Sequence, residues 1–192
     1  MPSPYIIISS LLVLISPIVY TVAILKGRAK PHRTTLLVFL IISSIATASL
    51  FTQGDRVAIY LAGVTTLQSV ALFILSIKYG MGGWAKSDIF CLILALIGII
   101  LWRITKNPVI ALYFSIAADF IGLVPTLIKS YYLPKTEISS FFIMDSFAGF
   151  FSLMAIKHWT TQEYSYPLYI MLINIITVLL IIRPHYDYTN SK

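Results

Sequence analysis

The chain has 192 residues, of which 58% are hydrophobic and 11% charged, with a formal net charge of +7 and a mean hydropathy of +0.89. Soluble domains carry about 25% charged and 45–50% apolar residues, so an ordinary water-soluble globule is excluded and a membrane protein is indicated. The basic residues are thinly spaced between apolar blocks, which fits loop charge beside a membrane better than a nucleic-acid surface.

A spanning helix needs about 20 residues, within a range near 17–25. Pro4 to Leu25 fits, and Pro17 is expected to kink it. The absence of a basic residue before this run argues against a cleaved signal peptide. A basic hinge, GRAKPHRTTL from Gly27 to Leu36, follows. Thr34 to Phe51 is the second expected span, with Ser43, Ser44, Thr47 and Ser49 suited to close helix contact. TQGDR, Thr52 to Arg56, reads as a tight turn. Val57 to Ile77 is the third span, interrupted by Gly63, Thr65, Thr66, Gln68 and Ser69.

The glycine-rich KYGMGGWAKSD loop, Lys78 to Asp88, comes next. The apolar run Ile89 to Trp102 is only 14 residues long, so the fourth span is extended to about Ser87 to Thr105. Val109 to Ile128 is the fifth span and carries Asp119, Gly122 and Pro125. A second proline loop, YYLPKTEISS from Tyr131 to Ser140, follows it. Ile138 to Ile156 is the sixth span, with Asp145, Gly149 and Ser152. Tyr166 to Ile182 is the seventh, with Asn174 and Thr177. Continuous apolar runs favour helices over a β-barrel.

The expected fold class is therefore an all-α polytopic membrane protein of seven transmembrane helices. With the N-terminus outside and the C-terminus cytoplasmic, the inner segments hold ten basic residues and the outer ones four, as the positive-inside rule prefers. Both proline loops then lie on the cytoplasmic side.

The chain also looks doubled. Lys26 and Pro31 map onto Lys129 and Pro134 at an offset of 103, and Gln68 onto Asn174 at 106. An odd connector gives the two halves the same orientation, so they read as parallel three-helix-bundle repeats, an arrangement used by transporters. The expected organisation is a first bundle over 1–78, a connector helix and loops over 79–108, a second bundle over 109–183 and a tail over 184–192.

This layout resembles the SWEET, PQ-loop and PnuC-like transporter superfamily. The family motif is Pro-Gln in the loop after the first helix of each triplet; here the positions read Pro31-His32 and Pro134-Lys135. The prolines match and the glutamines do not. The resemblance implies that Asn174, with Gln68 as its mate, faces the substrate. It also implies that Pro17 and Pro125 act as hinges, although an offset of 103 places Val22, not Pro17, opposite Pro125.

Among the residues themselves, Asp119 is the sharpest signal. A charge near the bilayer centre costs several kcal/mol, on the order of 3 by insertion scales, and normally faces a cavity or partner. Asp119 is the candidate proton-coupling group. Asp119, Gly122 and Thr126 share one helical face, read as a possible cavity stripe. Asp145, grouped with Gly149 and Ser152, is a candidate for binding substrate. Neither aspartate has a mid-span lysine or arginine to balance it, which implies a cation or protons as counter-charge. The amides of Gln68 and Asn174 suit hydroxylated or amide-bearing solutes. Pro31 and Pro134 stand near the expected cytoplasmic gate, with Pro17 and Pro125 as hinges. Trp84 and Trp102 read as interfacial anchors.

Nothing implies a cofactor. GMGG lacks the phosphate-loop spacing, the three histidines lie in separate polar segments, and the lone Cys91 permits no intramolecular disulfide and suggests no metal site. No set of nucleophile, acid and metal ligands assembles at one membrane face, so an enzyme is not expected. The leading expectation is a small-solute transporter working by alternating access, facilitative or proton-coupled, for a small polar or cationic solute such as a sugar, amino acid or vitamin-like compound. The expected partners are that solute, protons and lipid, with homo-oligomerisation open and nucleic acid excluded. The alternative is a seven-helix receptor or assembly protein without transport activity.

Overall fold

The computed structural model describes residues 3–53, 58–82, 85–105 and 108–183. Of the expected turn Thr52 to Arg56, Thr52 and Gln53 belong to α2 and the rest lies outside the described residues, as do the anchor Trp84 and the tail from 184. The described residues form seven α-helices: α1 Pro4–Leu25, α2 Arg33–Gln53, α3 Ala58–Tyr79, α4 Lys86–Ile104, α5 Pro108–Tyr132, α6 Ser139–Met154 and α7 Thr161–Ile182. A 3₁₀ turn, Pro134–Thr136, sits between α5 and α6.

Local chemistry sets the ends. Pro4 occupies the first turn of α1, where its missing N–H costs nothing. Gly27 ends the helix at φ +69°. The Arg28 N–H donates to the Ala23 carbonyl at 2.8 Å and the Gly27 N–H to Ile24 at 2.9 Å, the paired bonds of a Schellman stop.

The chain is α-helical and built for a membrane, but the expectation of seven spans is corrected. Among the described residues three helices are long and apolar enough to cross a bilayer: Pro4–Leu25, Leu112–Tyr132 and Glu163–Ile182, with hydropathies of 2.3, 1.4 and 2.2. α6 has 16 residues, or about 24 Å at 1.5 Å per residue, short of a hydrocarbon core of about 30 Å. In α2 and α3 the described apolar stretches are Arg33–Ser44 and Gly63–Tyr79. α4 is a 19-residue helix, Lys86–Ile104. Among the described residues, then, three spanning helices stand where two triplets and a spanning connector were expected.

Helix packing follows a scheme that occurs twice. α3 lies against both α1 and α2, and α7 against both α5 and α6. The two groups meet along the seams α1·α6 and α2·α5, while α4 packs on α5 and, less, on α2. Polar contacts show which ends coincide. The Lys30 N–H donates to the Thr136 carbonyl at 2.8 Å and the Met81 N–H to Pro31 at 2.9 Å. The Arg183 guanidinium donates to the Tyr131 carbonyl at 2.5 Å. The C-terminal ends of α1, α3, α5 and α7 thus gather at one end of the array, together with both proline loops.

A small buried cluster of Tyr20, Ala23, Ile24, Ala29, Leu36 and Leu72 lies near that end, backed by Phe39, Phe73, Ile138 and Phe141. Elsewhere large apolar side chains face outward: Leu67 is 69% exposed, Ile18 58% and Leu179 57%. Apolar exposure on this scale belongs in lipid rather than water.

Candidate functional site

α1 carries a polar stripe on an otherwise apolar helix. Ser9, Ser16 and Tyr20 are all buried, and their spacing of seven and four puts them on one face. Each meets α6 or the loop before it. The Ser9 hydroxyl donates to the Ala148 carbonyl at 2.9 Å and lies 2.8 Å from the Ser152 hydroxyl. Ser16 donates to the Asp145 carboxylate at 2.5 Å. Tyr20 donates to both carboxylate oxygens of Glu137, at 3.0 and 2.8 Å.

Asp119 takes its partner from another helix: Tyr169 Oη on α7 donates to its Oδ2 at 2.6 Å. Tyr166, about one turn earlier on α7, lies within electrostatic reach of both Asp119 and Asp145. Ion pairs among the described residues are His32–Asp88 and Lys129–Glu137. Asp119 and Asp145 are therefore held by hydroxyls, and neither joins an ion pair among the described residues.

The two expected stripes divide. Thr126 donates to the Thr35 hydroxyl at 2.9 Å, and a Cβ on Gly122 would stand 2.6 Å from Val38 Cγ1. Gly122 and Thr126 pack into the α2·α5 seam. Asp145 and Ser152 face α1, whereas Gly149 faces α7: a Cβ there would come within 2.8 Å of the Met171 nitrogen.

Asn174 is buried and spends an amide proton on the Ile170 carbonyl of its own helix at 2.8 Å. Gln68 is half-buried on α3. α3 and α7 make no packing contact among the described residues, so the two amides are not brought together. Pro31 and Pro134 are buried in the touching loops. Pro17 and Pro125 lie inside α1 and α5, each beside a hydroxyl residue, Ser16 or Thr126, that bonds across a seam.

The proline-loop end is tied by charge. Lys129 reaches the Lys30 carbonyl at 2.5 Å and the Glu137 carboxylate, with Lys129 and Glu137 both buried. Arg33 reads the end of α3, donating to the carbonyls of Ser76 at 3.0 Å and Gly80 at 2.9 Å. His32 packs against Gly82 with its Nε2 3.6 Å from Asp88. Burial pushes the His32 imidazole down from its usual 6.5; Asp88 opposes this, while Lys129 and Arg33 add to it.

Sequence reasoning missed Tyr169, Ser16 and the Tyr20–Glu137–Lys129 network. The seven-and-four period on α1 was available as a signal. The tyrosine opposite Asp119 had none, because its role depends on which helix lies beside which.

At the opposite end a cavity of about 300 Å³ opens between the first turns of α1, the end of α6 and the start of α7. It is lined by Ile6, Ser9, Ser10, Ser152, Ala155, Ile156 and Glu163. No group of three or more metal-ligating side chains occurs among the described residues. Comparison with known proteins finds no matching family model, no matching curated protein and no matching solved structure.

Proposed function

We propose that this protein is a small-solute transporter of the membrane that holds solute and counter-charge around Asp119 and Asp145. The observation that carries the reading is the pair of carboxylates within the helix array, each bonded to a hydroxyl from another helix and neither ion-paired among the described residues. A carboxylate removed from water without a fixed counter-ion favours a proton or a cation. A mobile counter-charge of that kind is what a coupled carrier exchanges.

The doubled packing scheme supports a mechanism in which two helix groups shift along the α1·α6 and α2·α5 seams, with differential solute binding moving the balance between states. The reading also draws on the prolines Pro31 and Pro134, which resemble those of the SWEET, PQ-loop and PnuC-like superfamily. In this reading the proline-loop end faces the cytoplasm, because Lys26, Arg28, Lys30, Arg33, Lys78, Lys86 and Lys135 gather there.

The test is stabilisation of the purified chain by a panel of sugars, amino acids, nucleosides and vitamin-like amines, followed by flux of any hit into proteoliposomes. Binding raises apparent stability by linkage. A hit weakened by Asp119→Asn supports the reading. No hit and no flux from folded protein overturns it in favour of a receptor or assembly role.

A further inference from the structure

The α1·α6 seam has a direction. Its open end is the cavity containing Ser9, Ser10, Ser152 and Glu163. Glu163 is the one charged residue in that lining; Lys157 and His158, in the same connection, do not line it. Deeper in the seam, the Ser9–Ser152 contact leads to Ser16 and Asp145. Ser9 and Ser16 are seven residues apart, about 10 Å along the helix. At Tyr20 the seam ends on the Glu137 carboxylate, which is paired with Lys129, itself anchored on the Lys30 carbonyl. The seam is therefore negative and hydroxyl-rich where it opens and closed by a buried, charge-compensated ion pair at its far end.

Size narrows the ligand. A cavity of about 300 Å³ lies at the lower end of small-molecule pockets, which run about 300–1,000 Å³; a bare proton or metal ion has no use for that room. Hydroxyl oxygens and a carboxylate accept hydrogen bonds from an ammonium group.

From this we infer that the cleft between α1, α6 and α7 is an access subsite for a small protonated amine, received at Glu163 and passed along the seam to Asp145. The inference rests on the transporter reading and adds the charge class of the cargo and its route. At the far end the buried Lys129–Glu137 pair and the bonded proline loops close the seam, so the cargo enters at the Glu163 end.

The experiment measures thermal stability of the purified full-length protein against concentration of ethanolammonium, with ethylene glycol as the neutral probe of similar size and sodium chloride matching ionic strength. Ethanolammonium is expected to stabilise saturably and ethylene glycol not. Glu163→Gln, at an exposed position, is expected to raise the half-saturating concentration about two- to fivefold, the range of an exposed charge pair. Asp145→Asn is expected to raise it more than about tenfold, as for a desolvated pair. Should Asp145→Asn not fold, Glu163→Gln and Ser9→Ala, which removes the hydroxyl from the cavity wall, still decide the matter. Equal stabilisation by ethylene glycol, or indifference of the ethanolammonium response to Glu163→Gln, overturns the inference. A neutral solute that stabilises through Asp119 while ethanolammonium does nothing overturns the inference alone and leaves the transporter reading standing. Silence from every solute, charged and neutral, overturns both.

Discussion

Glu137 bears more weight than its single charge suggests. It receives Tyr20 from α1 and Lys129 from α5, and both ions of its pair are buried. A buried ion pair adds little net stability over an apolar pair, but breaking one half leaves the other charge stranded, at a cost of about 3–5 kcal/mol. Glu137→Gln should therefore destabilise the protein by that amount in thermal or denaturant unfolding. Adding Lys129→Met should recover most of the loss. If the double variant is no more stable than the single one, the pair does not act as a unit. Nearby, His32 sets a pH response. Its imidazole is pushed below 6.5 by burial, so the folded chain resists a proton that the unfolded chain accepts. Stability is then complete above 6.5 and declines as pH falls through and below that value. The melting temperature of the wild type should drop between pH 7.5 and 5.5, and His32→Gln should flatten the drop. Equal drops in both proteins would mean that His32 titrates freely.

At the scale of elements, helix contacts hang on single small residues. A Cβ on Gly149 would come within 2.8 Å of the Met171 nitrogen and 2.9 Å of the Pro167 carbonyl oxygen, both backbone atoms of α7. Backbone cannot step aside as a side-chain tip can, so Gly149→Ala should cost about 1–3 kcal/mol. Gly63 on α3 has nothing within 4 Å of its virtual Cβ. Gly63→Ala should be neutral or stabilising by up to about 1 kcal/mol, from the lower backbone entropy of alanine. Unfolding of the two variants side by side checks the contrast; equal effects would contradict the close approach of α6 and α7. The same elements show what the sequence makes legible. The run Pro4 to Leu25 became α1 with the same ends, because apolarity and a terminal glycine are local signals. The span count failed where the helix is brief, as in α6 with its 16 residues. Asp119 and Asp145 stood out because a charge in an apolar run is conspicuous on its own. Their partners Tyr169 and Ser16 did not, since hydroxyls are common in helices and only packing selects among them. The face shared by Asp119, Gly122 and Thr126 was read as a cavity wall. Periodicity defines a face but not what the face meets: Val38 and Thr35 meet Gly122 and Thr126, and Tyr169 meets Asp119.

The molecule as a whole has two unlike ends. At one, the proline loops bond to each other, Arg33 caps the carbonyls of α3, and Lys129 sits in a buried network. At the other, a hydroxyl-lined cleft opens beside Glu163. Positive charge collects at the tied end, and lysine and arginine are retained on the cytoplasmic side during insertion. The tied end should then face the cytoplasm and the cleft the exterior. Two exposed positions test this in a Cys91→Ser background: Ser10 in the cleft lining and Lys135 in the second proline loop. A membrane-impermeant maleimide applied to intact cells should label Ser10→Cys and leave Lys135→Cys unlabelled until the membrane is broken. The reverse pattern would turn the protein over and set the cleft to receive cargo from the cytoplasm. Labelling of both from the same side would be incompatible with two ends separated by a bilayer, since α1 alone, at 22 residues, is about 33 Å long and carries Ser10 on its first turns and the proline loop at its end.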